Sequence, residues 1–152
     1  FVKKRPLPPE IQSRFDAVPE PIRSGLAHGL QQGLPAFSLS AQEALLTAII
    51  NDSGIGKELM YAQQVCVFGR KGDVFLGIST SGNAKNVQYA AITARAFGLG
   101  VIALTGETGG ELAKIADVAI CVPARETYKI QEYHLPVYHA ICLALEERFF
   151  SC

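Results

Sequence analysis

The sequence is poor in charge. Only 18% of its 152 residues are Asp, Glu, Lys or Arg, below the usual quarter for soluble domains. The 14 basic residues equal the 14 acidic ones. No global field therefore draws the chain to nucleic acid or to an anionic membrane. Long hydrophobic runs are missing as well, and none approaches the roughly 18 residues of a membrane span. No signal peptide is read at the start. The four cysteines, Cys66, Cys121, Cys142 and Cys152, show neither metal-knuckle nor redox-motif spacing. Three lie in apolar runs and read as small hydrophobes, so a reducing, cytoplasmic setting is expected. Repeats and low-complexity tracts are absent. So are a Walker loop and a Gly-x-Gly-x-x-Gly fingerprint, and no nucleotide or organic cofactor is expected.

What is present is apolar. Hydrophobic residues make up 49% of the chain, and the mean hydropathy is +0.20. That excludes a disordered chain and suits a single domain with apolar surface for an oligomer. Residues 1–33 differ from the rest. Lys3, Lys4 and Arg5 lead into Pro6, Pro8 and Pro9, then Pro19 and Pro21. Proline at this density breaks regular structure. Short helical pieces are expected at Glu10–Phe15 and Pro21–Gly29, within a surface excursion whose basic cluster is solvated.

From Leu34 onward, strand and helix patterns alternate. Strands are predicted at Ala36–Leu39, Val74–Ile78, Val101–Leu104 and Val118–Val122. Helices are predicted at Gln42–Ile50, Glu58–Phe68, Ala84–Phe97, Glu111–Ala116 and Tyr128–Phe149. Short apolar strands between helices define βαβ units. Apolar runs without alternation predict strands covered on both faces. The expected class is α/β: a three-layer, doubly wound sandwich on a mostly parallel sheet, formed by residues 34–152. Ligands in such sheets bind beyond the carboxyl ends of the strands.

One loop stands at such an end. Ser79-Thr80-Ser81-Gly82-Asn83 follows the strand Val74–Ile78 and precedes a helix. Hydroxyls donate hydrogen bonds, and first-turn amides are unpaired donors in a field that favours anions. Gly82 lets the backbone approach closely. Together they suit a phosphate. Ser and Asn are also good helix caps, but one cap needs only one such residue.

Gly77-Ile78-Ser79-Thr80-Ser81-Gly82-Asn83 with Lys85-Asn86-Val87 resembles the signature of the sugar isomerase (SIS) domain, in its phosphoheptose isomerase branch. The likeness continues through Val101–Gly106, Gly109–Ala113, Ala116–Ile120 and Lys129–Glu132, with His134 and His139. The resemblance implies a sheet of about five parallel strands, a sugar phosphate ligand and a homotetramer or homodimer. It implies interconversion of sedoheptulose 7-phosphate and a manno-heptose 7-phosphate. By position, it makes Ser79, Thr80 and Ser81 phosphate ligands, with Gly82 and Asn83 beside them. Asn51 and Asp52 match a pair that contacts substrate. Gln131 and His139 match residues that hold substrate or a zinc ion, and His139 is one of two acid/base groups.

Aldose–ketose isomerisation moves a proton between neighbouring carbons, and a near-neutral imidazole suits that work. Gln131 and His139 stand eight residues apart on one predicted helix, about 80° around its axis. Ile130, Val137, Tyr138, Ile141 and Leu145 form the neighbouring core stripe. His134 is expected on the helix surface or at an interface, and Tyr128 and Tyr133 as packing residues. Glu132 either orients His139 or is a solvated charge.

Three departures from the family pattern bear on this. The family's Gly-Asn-Gly-Gly-Ser segment, and the following helix with a second acid/base Glu and further zinc ligands, fall before the point matching Phe1. The non-Met start leads us to expect residues upstream. A family Ser is Ala84 here, and Pro136 interrupts the last helix between Gln131 and His139. Without the catalytic Glu, a non-catalytic phosphosugar-binding or adaptor protein, as in replication initiation, is the alternative. A phosphosugar lyase or etherase is a third reading.

Overall fold

A computed structural model describes residues 4–150. Contacts divide the chain into two units, Phe37–Tyr138 and the described parts of Phe1–Ala36 with His139–Cys152.

The larger unit holds a parallel sheet. Strands β1 (Val74–Ile78), β2 (Gly100–Thr105) and β3 (Val118–Cys121) lie side by side in that order. Leu76 pairs with Ile102, and Ile102 with Val118. Two leading helices, α3 (Glu43–Asp52) and α4 (Gly56–Phe68), precede the sheet. Helix α5 (Lys85–Ala96) joins β1 to β2, and α6 (Gly110–Ile115) joins β2 to β3. Helix α7 (Thr127–Phe150) follows β3, and the division between units falls inside it.

Alternation along the strands sorts the core into two faces. Val101 and Ala103 point to one face, where they bury against Ala90, Ala91 and Ala94 of α5, Leu112 of α6 and Val65 of α4. Alanine on α5 lets the helix lie close to the sheet. Leu104 points the other way and buries with Val122, Ala124 and Ile130, joined by Ile120 and Val137. Helices on both faces make three layers, as the sequence pattern predicts.

Three strands form among the described residues, of the about five that the resemblance implies. Three expectations are corrected. Ala36–Leu39 is not a strand. Its chain is irregular and enters a 3-10 turn at Leu39–Ala41, closed by Ser40 N–H donating to Ser38 Oγ. There the fully buried Gln64 donates from Nε2 to the Leu39 carbonyl at 2.9 Å, taking the place of a strand neighbour. Coverage of both sheet faces is also incomplete. Val74, Ile78 and Val118 are 62%, 48% and 54% exposed, because the α7 side chains that meet this face pack at Leu104 and Ile120. Finally, Cys66, Cys121 and Cys142 are free thiols at exposed positions rather than core hydrophobes. Cys66 and Cys142 fall on outward helix positions, Cys121 on the edge strand, and Cys152 lies outside the described residues.

In the smaller unit, α1 (Pro9–Gln12), a 3-10 turn at Ser13–Phe15 and α2 (Ile22–Gly29) match the short helices expected among the prolines. The basic cluster is not wholly solvated. Lys4 is exposed and Lys3 lies outside the described residues, but Arg5 is only 8% exposed. Its guanidinium pairs with Glu146 at 3.6 Å and lies over the Phe150 ring at 4.9 Å. A carboxylate and an aromatic face together offset its desolvation.

Candidate functional site

The sheet ends in a loop whose backbone is fixed on three sides. Ser79 N–H continues the strand pairing by donating to the Leu104 carbonyl at 3.1 Å, and Gly82 N–H closes a turn onto the Ser79 carbonyl at 3.1 Å. Thr80 offers its carbonyl to Gly106 N–H at 2.9 Å. Gly82 accepts from Leu112 N–H at 2.9 Å. Asn83 Oδ1 accepts from Glu111 N–H at 3.1 Å. The loop is thus anchored to the turn after β2 and to the first turn of α6.

Glycine makes that anchoring possible. Gly82 has φ +66, and a Cβ there would fall 2.0 Å from the Gly109 carbonyl oxygen. Gly110 has φ +56, and its Cβ would fall 2.4 Å from the Ser81 carbonyl oxygen. Two loops meet backbone to backbone, which any side chain would prevent.

The polar side chains are not used to cap α5. Its N-cap residue is Ala84, and no side chain caps it. Asn83 caps the neighbouring α6 instead. Ser81 Oγ accepts from Asn83 N–H at 3.1 Å. Among the described residues the hydroxyls of Ser79 and Thr80 have no hydrogen-bond partner, although Ser79 is buried and Thr80 half-buried. These hydroxyls stand beside a helix start with unpaired amides, which is a donor set for an anion.

The other expected site residues are placed as follows. Asn51 and Asp52 form the exposed last turn of α3. Their helix end is pressed onto α4, where a Cβ on Gly56 would fall 2.1 Å from the Ile49 carbonyl oxygen. No hydrogen bond among the described residues joins either to the loop. Gln131 is exposed on the first half of α7, in the larger unit, and His139 is exposed on the second half, in the smaller one. Helix α7 runs unbroken through Pro136. Glu132, Tyr128 and Tyr133 are exposed, so the tyrosines are not the packing residues expected.

His134 is the larger surprise. It is buried, with Nε2 3.2 Å from the Thr105 carbonyl oxygen. Of the surface or interface position expected, the surface one fails, because His134 follows Ile130 by one helical turn and shares its inward face. Gln88 was also missed. It lies half-buried in α5 and donates from Nε2 to the Gly82 carbonyl at 3.3 Å. Its signal in the sequence was an amide one turn into the helix that follows the loop.

A metal does not fit the residues in hand. Among the described residues, no three or more His, Cys, Asp or Glu gather where an ion could bind. Gln131 and His139 supply one amide and one imidazole, whereas zinc takes four ligands, or three and a water.

Comparison with known proteins bears on the family and the fold. A family model described as the SIS domain matches residues 22–106. The chain is 44% identical over 118 residues to a phosphoheptose isomerase from Sulfurimonas denitrificans, covering 78% of this chain and 60% of that one. It is 42% identical over 118 residues to the phosphoheptose isomerase of Aneurinibacillus thermoaerophilus, covering 78% and 59%. A solved phosphoheptose isomerase from Neisseria gonorrhoeae superposes with a TM-score of 0.72 at 41% identity, covering 78% of this chain and 64% of that one. The parallel sheet and the loop after its first strand are therefore those of a known α/β class. The chain belongs to the SIS domain family, and it spans about three fifths of the curated relatives it matches.

Proposed function

We propose that this chain carries the phosphosugar site of an aldose–ketose isomerase acting on sedoheptulose 7-phosphate. The observation that carries the reading is the loop Ser79–Asn83, whose hydroxyls are not spent on capping α5 and whose backbone is fixed by α6 and by the turn after β2. The names of the relatives supply the reaction class.

In this reading the phosphate rests on Ser79, Thr80 and Ser81, with Gly82 and Asn83 shaping the approach. The loop carries no lysine, so neutral donors and the start of α5 supply the attraction. Asn51 and Asp52 meet the sugar hydroxyls. Gln131 orients the carbonyl end. His139 takes a proton at one oxygen or carbon and returns it at its neighbour, as enediol chemistry requires. Zinc would be held by Gln131 and His139 only with donors from outside the described residues, so no step is assigned to it.

Residues 34–152 constitute the phosphosugar domain, and residues 1–33 are an excursion from it. In this reading the protein works as a homo-oligomer in the cytoplasm, a tetramer or dimer that binds a sugar phosphate and neither nucleic acid nor a membrane. No described helix is long and apolar enough to cross a membrane.

The test is an NMR assay of the protein with sedoheptulose 7-phosphate, beside His139→Ala and the double variant Ser79→Ala/Ser81→Ala. Turnover lost in the first variant and binding lost in the second would support the isomerase. Saturable binding without turnover would turn the reading to a phosphosugar-binding or adaptor protein. Neither binding nor turnover would sink the proposal.

A further inference from the structure

His134 connects the last helix to the phosphate loop through a single peptide plane. Its Nε2 stands 3.2 Å from the Thr105 carbonyl oxygen. A carbonyl only accepts, so Nε2 carries the hydrogen and donates. The same oxygen accepts from Val122 N–H at 3.0 Å. On the other side of that plane, Gly106 N–H donates to the Thr80 carbonyl at 2.9 Å. The Thr105–Gly106 peptide is therefore held at its oxygen by α7 and by Val122, just past β3, and it holds Thr80 through its nitrogen. A rotation of this plane would strain the bonds at both ends. Hydrogen bonds in such a chain polarise one another.

The surroundings leave the plane little freedom. A Cβ on Gly106 would fall 2.5 Å from Ile130 Cδ1, 2.8 Å from the Thr80 carbonyl oxygen and 3.0 Å from the Ala124 carbonyl oxygen. Thr105 is fully buried, and its Oγ1 donates to the Gly106 carbonyl at 3.1 Å. Burying an imidazole costs free energy unless its polar atoms are met. An apolar residue would fill this position on α7 without that cost. The imidazole brings a donor long enough to reach the carbonyl at the carboxyl end of β2.

We propose that His134 is a positioning residue for phosphate binding. Through the Thr105–Gly106 peptide it fixes where the Thr80 backbone stands, and so where the Ser79–Ser81 hydroxyls point. It touches no substrate. The inference rests on the reading of Ser79–Ser81 as the phosphate site.

Three variants test it. His134→Gln keeps a donor at similar reach. His134→Asn keeps the amide but is one methylene shorter. His134→Leu keeps bulk and removes the donor. The readouts are the dissociation constant for sedoheptulose 7-phosphate by calorimetry and the Gly106 amide exchange rate by NMR. Leu and Asn should weaken binding about tenfold, the scale of one lost hydrogen bond, and should speed Gly106 exchange. Gln should restore both. Binding in the Leu variant equal to that of the unmodified protein would overturn the inference, as would Gln losing as much as Asn. If the Leu variant does not fold, the Gln and Asn pair decides alone. If the unmodified protein does not bind the sugar phosphate, the functional reading fails. The Gly106 exchange rate, together with inorganic phosphate binding followed by 31P NMR, then still tests His134.

Discussion

Asn83 reaches across 28 residues of sequence to cap a helix other than its own. Its Oδ1 accepts from Glu111 N–H at 3.1 Å. The next amide, that of Leu112, donates to the Gly82 carbonyl at 2.9 Å. Two successive amides of the first turn of α6, otherwise orphaned, hold two successive residues of the loop after β1. Loop and helix start are one mechanical piece.

Two substitutions at Asn83 separate its stability role from its role near an anion. Asn83→Ala removes the acceptor and should cost about 1 kcal/mol, as other lost caps do. Asn83→Asp keeps the acceptor and adds a negative charge at a helix start, so stability should hold or rise. The same charge should repel phosphate and weaken sugar phosphate binding. Thermal melts and a phosphate titration on both variants would check this. An Asp variant that binds as tightly as the unmodified protein would show that the anion does not sit here.

Gly110→Ala should be far more damaging than its size suggests. The residue has φ +56, and the new methyl would meet the Ser81 carbonyl oxygen at 2.4 Å. The left-handed backbone alone costs roughly 1–2 kcal/mol with a Cβ, and the clash must move the loop as well. The amide signals of residues 79–83 should shift and phosphate binding should fall. Gly25→Ala in α2 is the control. Nothing lies within 4 Å of its Cβ position, and removing a helical glycine should stabilise by roughly 0.5–1 kcal/mol.

Much of this architecture was legible in the sequence. Val74–Ile78 reads as a strand because an apolar run of five stands between the Gly72-Asp73 break and a hydroxyl-rich loop, and the strand has those limits. Helix α7 was expected at Tyr128–Phe149 and spans Thr127–Phe150 despite Pro136. The loop was legible because three hydroxyls in a row exceed what a cap needs. What escaped depends on long-range partners. Ala36–Leu39 has strand composition, yet its carbonyl at Leu39 is met by the Gln64 side chain rather than by a strand. Arg5 looked solvated because Glu146 and Phe150, which neutralise and cover it, lie at the far end of the chain. His134 looked like a surface residue because its partner is a backbone carbonyl, which leaves no trace in side-chain identity.

The start of α7 should show a defined response to pH. Lys129 donates to Glu126 Oε1 at 3.0 Å. That hydrogen bond, chiefly, holds the Glu126 carboxyl below the usual carboxylate range and raises the Lys129 ammonium. For the depressed carboxyl, the stabilising contribution is present above its unfolded value and is lost as pH falls through its folded one. For the raised ammonium, it is present below the unfolded value and is lost as pH rises through the folded one. The pair therefore acts between those limits, and its contribution is small because both groups are exposed. Lys129→Met should return the Glu126 titration toward the ordinary range, followed by the 13C shift of its carboxyl. An unchanged midpoint would mean the ion pair does not form in solution.

Pro136 lies in the interior of α7, where it has no N–H to give the Glu132 carbonyl. The helix nevertheless continues to Phe150. Against alanine, proline inside a helix is about 3 kcal/mol less favourable. Part of that is returned because proline restricts the unfolded chain, by about 0.4–1 kcal/mol. Pro136→Ala should therefore stabilise the protein by about 2 kcal/mol and raise the melting temperature. Sugar phosphate binding at the Ser79–Ser81 loop should not change, since Pro136 makes no hydrogen bond to that loop. Turnover is the more telling measurement, because Gln131 and His139 stand on opposite sides of the proline. If the proline sets the direction of His139, the more stable variant will bind as before and turn over more slowly. If turnover is unchanged while stability rises, the proline does not set the direction of the imidazole, and α7 tolerates it only as a cost.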